Sequence, residues 1–183
     1  MLKKEVRSHL LVTLAWLGLI TFLRWSWHWN LIFLWLGGLV GTFLLDIDHL
    51  LYTLWIYPHE LTSMRVKHLI DKRRFKDTLA LLADTHEERF KFSFHTALFQ
   101  PILYIVCFFV LTSTGSLFGA GLVMAMALHL LKDEVECLFS KEREEYLRKW
   151  LFWQVKTEVS FNQQKSFVIL MLLVFIGLNL LLI

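Results

Sequence analysis

Five stretches of this chain, about 10–23, 31–45, 94–113, 117–131 and 167–183, are nearly free of charged residues. No other feature limits the fold as strongly. A helix that crosses a bilayer needs about 20 mostly apolar residues. The third stretch has that length, and the other four reach it with neighbours suited to the interface. Trp25, Trp27 and Trp29 stand between the first two, where an aromatic belt would lie. Short buried helices of a soluble protein are the alternative for the second and fourth stretches. The chain is 56% apolar and only 19% charged, too little polar surface to cover five such helices in water. In lipid, helices pair their own backbone groups. The expectation is an all-α, polytopic membrane protein: one integral membrane domain over 1–183, with about five transmembrane helices near 9–27, 28–49, 93–113, 115–135 and 165–183. Lys3, Lys4 and Arg7 before a short apolar core resemble a secretory signal. No small-residue cleavage site follows, so an uncleaved signal-anchor helix is expected.

Charge then orients the chain. With five crossings, residues 1–9, 46–93 and 132–166 share one side. Of the 19 Lys and Arg residues only Arg24 falls on the other side, and all 16 Asp and Glu residues stay with the basic ones. So does every His except His28. Positive loops remain cytoplasmic, which puts the N-terminus and the polar chemistry inside the cell. Cys107 and Cys137 have no CxxC partner spacing, and no disulfide is expected in a reducing compartment.

Three helix ends on that side carry ligand-type residues. Asp46-Ile47-Asp48-His49 ends the second stretch, about 20 residues or roughly 30 Å beyond Trp27. Asp46 and His49 share a helix face; Asp48 points elsewhere unless the helix unwinds. Phe94-His95-Thr96 opens the third stretch, and His129 and Asp133 lie one turn apart at the end of the fourth. Imidazole nitrogen and carboxylate oxygen are ligands of zinc and related divalent ions, and a cation offsets the repulsion of carboxylates near lipid. The candidate metal ligands are Asp46, Asp48, His49, His95, His129 and Asp133. Zinc is the first expectation, with manganese and magnesium as the others. Gly38 and Thr42 lead to Asp46, and Gly121 and Ala125 lead to His129, at helical steps that allow close helix approach. Gly37-xxx-Gly41 and Gly115-xxx-Gly119 have the same small-residue spacing. Pro101 predicts a hydrogen bond lost to the carbonyl of Ala97, as a kink or as a tolerated membrane proline.

The cytoplasmic segments 58–92 and 136–164 are too long for simple connections. Leu61, Met64, Phe75, Leu79 and Leu82 fall near one helical face among basic residues, as in an amphipathic helix lying on anionic lipid. Thr85-x-x-Glu88 fits a capping box that would start a further helix. Tyr146, Leu147, Trp150 and Trp153 make a second amphipathic stretch. Acidic residues interrupt the basic run, which argues against nucleic acid as a partner. His59, Glu60, His68 and His86 are spare ligand candidates.

The motifs LDIDH (Leu45–His49), FHT (Phe94–Thr96) and LHLLKD (Leu128–Asp133) resemble those of the membrane-bound metal-dependent hydrolase family of bacterial inner-membrane proteins. There they read approximately PDIDH, THS and SHLLLD. The resemblance spans about 31–135 and includes the order of the helices. It implies a divalent metal site at the cytoplasmic surface of the inner membrane and a hydrolytic activity. Leu45 stands for the family's proline, Phe94 for its threonine and Thr96 for its serine. Phe90 occupies a position where the family often has another His, so that ligand is either lost or replaced by His86 or Glu60. The expected substrate is a lipid-linked or amphiphilic ester or phosphoester. Asp48 is the expected catalytic residue: a bridging ligand, a group orienting a His, or the general base. Two rival readings are a non-enzymatic protein whose Asp/His cluster is a structural metal site or inter-helix clasp, and a transporter. The transporter is disfavoured because no charge lies mid-membrane.

Overall fold

The computed structural model describes residues 2–25, 28–85, 88–139 and 144–183, and among them every regular element is a helix. Helix α1 (Leu2–Arg24) is followed by α2 (Leu31–Leu44), α3 (Ile47–Leu51) and a π-helical turn (Tyr52–Ile56). Next come α4 (Leu61–Asp71), α5 (Phe75–Asp84), α6 (Phe99–Phe109) with its π-helical extension (Val110–Thr114), α7 (Leu117–Phe139), α8 (Glu144–Leu151) and α9 (Phe161–Leu182). Three segments are long and apolar enough to cross a membrane: Glu5–Arg24, Leu31–Ile56 and Phe161–Leu182. The helical segment Phe99–Thr114 is apolar but shorter. The last third of α7 carries Lys132, Asp133, Glu134 and Glu136. Trp25 and Trp29 are exposed; Trp27 and His86 lie outside the described residues, as does the side chain of Tyr146.

The α2–α7 pair is the most extensive helix contact in the molecule. The two helices run parallel with their backbones in touch. A Cβ added at Gly37 would meet the carbonyl oxygen of Phe118, at Gly41 that of Leu122, and at Gly121 that of Leu34. Only glycine leaves room for those carbonyls, which is why small residues recur at helical spacing. Gly38 faces Leu17 of α1 instead. Helix α1 runs antiparallel to α2: Thr42 donates to Thr13 Oγ1 at 2.9 Å, and the Trp35 indole donates to Thr21 Oγ1 at 3.0 Å. Leu17, Leu34, Cys107, Met124, Leu130 and Phe175 fill the core between α1, α2, α6, α7 and α9. Where α6 hands over to α7, Gly115 adopts φ 63°, a left-handed helix stop that suits a residue without Cβ.

A second apolar cluster caps the end of the bundle that bears the acidic residues. Leu147, Trp150, Leu151 and Phe152 pack on Tyr52, Phe92, Ala97 and Cys137. The backbone stitches it shut: Ala97 N–H donates to Leu151 C=O at 2.8 Å, and the Trp153 indole donates to Phe92 C=O at 3.0 Å.

Several expectations need correction. Helix α6 begins at Phe99, not near residue 93, so His95 sits in a loop ahead of it. The Asp48 carboxylate takes the N–H groups of Ser93 and Phe94, and Thr96 Oγ1 accepts from Phe99 N–H at 3.1 Å; these bonds hold the loop out of the helix. Pro101 consequently lies in the first turn of α6, where its missing N–H has no helical acceptor to lose and no kink is required. The second stretch is not one uniform α-helix ending at residue 49; it breaks at Leu45–Asp46 and continues through a π-helical turn to Ile56. Residues 61–82 form two helices, because Arg73 adopts φ 57° in the turn between them. Thr85 does not open a capping box. Its hydroxyl donates back to Leu81 C=O at 2.7 Å, and Glu88 accepts from Thr62 at 2.7 Å.

Candidate metal centre

The polar end of the bundle encloses a cavity of about 520 Å³. Its walls come from α1, the α2–α3 break, α5, the loop before α6, α7 and Trp150. Among the described residues, His9, His129 and Asp133 form the group whose ligand-type atoms all lie within 4.8 Å of one another. His9 lies in the second turn of α1, and its Nε2 is 2.8 Å from Asp133 Oδ1. His129 Nε2 is 3.3 Å from Asp133 Oδ2 and 3.8 Å from Asp46 Oδ1.

The backbone fixes how the two rings present themselves. His129 Nδ1 lies 2.7 Å from the Thr42 carbonyl, and His9 Nδ1 lies 3.0 Å from the Glu5 carbonyl. A carbonyl only accepts, so each Nδ1 carries a proton. In the neutral ring Nε2 then holds a lone pair, and both lone pairs face the Asp133 carboxylate. Lone pair against carboxylate is repulsive. It is relieved by a second proton on each ring or by a cation between them. A second proton turns the contact into an ion pair with Asp133, but it places like charge on rings whose centroids are 4.1 Å apart. A divalent ion satisfies both imidazoles and the carboxylate together. The rest of the wall has the same sign, with Glu5, Asp46, Asp84 and Glu136 beside Asp133 and Lys132 as the one lysine among the lining residues. Lys132 Nζ is already engaged, 2.9 Å from Glu136 Oε2. The donor set therefore fits a divalent cation, in a Nε2–carboxylate arrangement common for zinc.

The residues singled out in the sequence divide into three groups. His129 and Asp133 are in the cluster. Asp46 is beside it, with a side chain 46% exposed that faces the cavity. His95 lines the same cavity, 4% exposed, with its ring 5.7 Å from that of His129 and edge-on to it. His49 also lines the cavity, but its ring packs edge-on against Phe92, and its Nδ1 lies 3.4 Å from Arg89 Nη2, which can only donate. Asp48 is neither a ligand nor a base in this arrangement. It has no exposed surface, and its oxygens accept from Ser93 N–H at 3.1 Å and Phe94 N–H at 2.6 Å and pair with His95 Nδ1 at 3.2 Å. Of its three expected roles, the geometry supports the orienting one. It turns His95 so that Nε2 is the free end, as a carboxylate commonly does behind a metal-binding imidazole.

Glu60 accepts from the Tyr52 hydroxyl at 3.1 and 3.0 Å. His59, Glu60 and His68 are not among the residues lining the cavity. Sequence reasoning missed His9. The signal was present, since His9 stands on the charged side at the start of an apolar stretch, level with the other motifs. Glu5 stands four residues before it, but the carboxylate it meets is that of Asp133 on α7, which no spacing within α1 reveals. No protein-family model matches the chain, and no curated protein and no solved structure matches it.

Proposed function

We propose that this chain is a metal-dependent hydrolase of the inner membrane, acting at the cytoplasmic surface on a lipid-linked or amphiphilic ester or phosphoester. The observation that carries the reading is the cluster of His9, His129 and Asp133, whose ligand-type atoms lie within 4.8 Å of one another, with both Nε2 atoms near Asp133 and both Nδ1 atoms committed to backbone carbonyls. The motif resemblance noted above supports it. The one-sided distribution of charge supports five crossings, with α6 and α7 the fourth and fifth beside the three long apolar segments, and an N-terminus inside the cell.

When bound, a divalent ion (zinc first, manganese or magnesium otherwise) supplies Lewis acidity that brings the pKa of water to about 7. The chain's own residues do the rest. His9, His129 and Asp133 hold the ion. Asp48 keeps the His95 ring turned toward the cavity. Asp46, exposed and 3.8 Å from His129 Nε2, is the carboxylate free to accept a proton from the attacking water. The water oxygen bonds to the ester carbon or phosphorus, the ester bond breaks, and the alcohol leaves with a proton from solvent. Asp46 replaces Asp48 as the candidate base because it has open surface.

A clasp without catalysis is the second reading, favoured by the 2.8 Å approach of His9 Nε2 to Asp133 Oδ1, which joins α1 to α7. Metal analysis of detergent-purified protein, with turnover of phospholipid esters, separates the two. Near-stoichiometric metal lost in His9→Ala and His129→Ala, with metal-dependent turnover above an Asp46→Ala control, is the expected result. Full stoichiometry in both His variants would sink the proposal. Bound metal without turnover would favour the clasp.

A further inference from the structure

The cavity has a second character that the metal ligands do not use. Among the acidic residues its wall also carries an apolar set, formed by Val6 of α1, Phe43 and Ile47 at the α2–α3 break, and Leu79, Leu82 and Ala83 of α5. Leu82 and Ala83 are buried, at 7% and 8% exposure. The other four stay open while lining the same space: Val6 37%, Phe43 39%, Ile47 44% and Leu79 53% exposed. Val6, Phe43 and Ile47 belong to segments long and apolar enough to cross a membrane. The apolar part of the wall therefore continues the face those segments would turn to lipid, and the buried imidazoles of His95 and His129 line the same cavity.

We propose that this wall is a hydrocarbon-chain site, occupied by a single acyl or prenyl chain of an amphiphile that slides in from the bilayer between α1, the α2–α3 break and α5. The reading rests on the hydrolase proposal only for what happens at the chain's polar end. A chain leaving lipid for this wall exchanges one apolar surface for another, so access sideways from the membrane needs no exposure to water. An ester presented from water gains about fourfold in affinity for each methylene it withdraws. Hydrocarbon laid against the His/Asp cluster instead would strip water from Asp46 and Asp133, which disfavours the reverse orientation. The cavity volume lies within the range of ordinary small-ligand sites.

The test uses a lysophospholipid with a photoreactive diazirine in its palmitoyl chain, added to full-length protein in nanodiscs, with crosslinks mapped by mass spectrometry. Bulk lipid can label exposed Leu79, but only a chain inside the cavity reaches Leu82 and Ala83. The expected result is label on Leu82 or Ala83 that unlabelled palmitoyl lysolipid competes away and that Ala83→Trp, which fills the space, abolishes. Leu79→Asp, at an exposed position the fold tolerates, lowers the same label if the larger side chain at 83 is not accommodated. In turnover, a palmitoyl ester is expected to be preferred to its butyryl counterpart by more than about tenfold in kcat/KM, and Ala83→Trp to remove the preference. Label confined to exposed residues would overturn the chain site whatever the turnover. Label inside the cavity with neither ester hydrolysed would leave the chain site standing and sink the hydrolase reading instead.

Discussion

The α2–α7 pair and the α4–α5 hairpin both border the cavity, and they are assembled in opposite ways. In the pair, glycines let two backbones touch, and the side chains that follow them toward the cavity are Asp46 on one helix and His129 and Asp133 on the other. In the hairpin, contact with the bundle rests on a few side chains, such as Val66 and Leu82, and on the Thr62–Glu88 bond; Leu61, Met64, Phe75 and Leu79 are left exposed. A ligand geometry must hold to within about 0.5 Å, and backbone contact provides that stiffness because carbonyls cannot change rotamer. Access for a substrate needs the reverse, and elements with few buried contacts are the ones that open at low free energy. The molecule separates the two needs by element.

The comparison breaks most severely at its rigid side. Gly121→Leu drives a branched side chain into the Leu34 carbonyl; a loss of about 3 kcal/mol or more is expected, read as failure to purify a monodisperse protein or as a large fall in Tm. Metal removal comes next. At a metal concentration a hundredfold above Kd, chelation should lower stability by about 2.7 kcal/mol, visible as a lower Tm in wild-type protein and as no change in His129→Ala. An equal response in that variant would detach the stabilisation from the His/Asp cluster. Asp48→Asn keeps the side chain's shape while weakening its grip on His95 and the loop. Metal affinity measured by titration should fall about 10–100-fold, as for groups that orient metal-binding imidazoles; unchanged affinity would mean that His95 takes no part. The smallest effect belongs to the hairpin: Leu79→Ser should move stability by less than about 0.5 kcal/mol, and a larger drop would show α5 to be a structural wall rather than a loosely held one.

The legible part of the site was the part built on helical periodicity. His129 and Asp133 share a face one turn apart, and Asp46 lies at the same depth because two apolar stretches of similar length end there. Depth and face are local properties, set by residue order and the rise of a helix. His9 was hidden because the imidazole and carboxylate it meets, His129 and Asp133, are on another helix. Which of its three expected roles Asp48 takes was hidden for a related reason: where its carboxylate points depends on the break at Leu45–Asp46 and on the backbone N–H groups of residues 93–94 that it accepts from. The division of the amphipathic stretch 61–82 into α4 and α5 was not legible either, since the positive φ at Arg73 is a turn that a basic run does not advertise.

Residue order by itself pointed to a helical chain with about five membrane segments, three of which are helices long and apolar enough to cross among the described residues, and to polar chemistry gathered at one end. Each of these follows from hydrophobic period and the self-sufficiency of helical hydrogen bonds. Only the tertiary structure decided which imidazoles meet which carboxylate and which carboxylate is spent on orienting a loop. Those outcomes depend on how close two backbones can come. That distance is set where Gly37, Gly41 and Gly121 give way to carbonyl oxygens on the facing helix, a relation between atoms far apart in the chain.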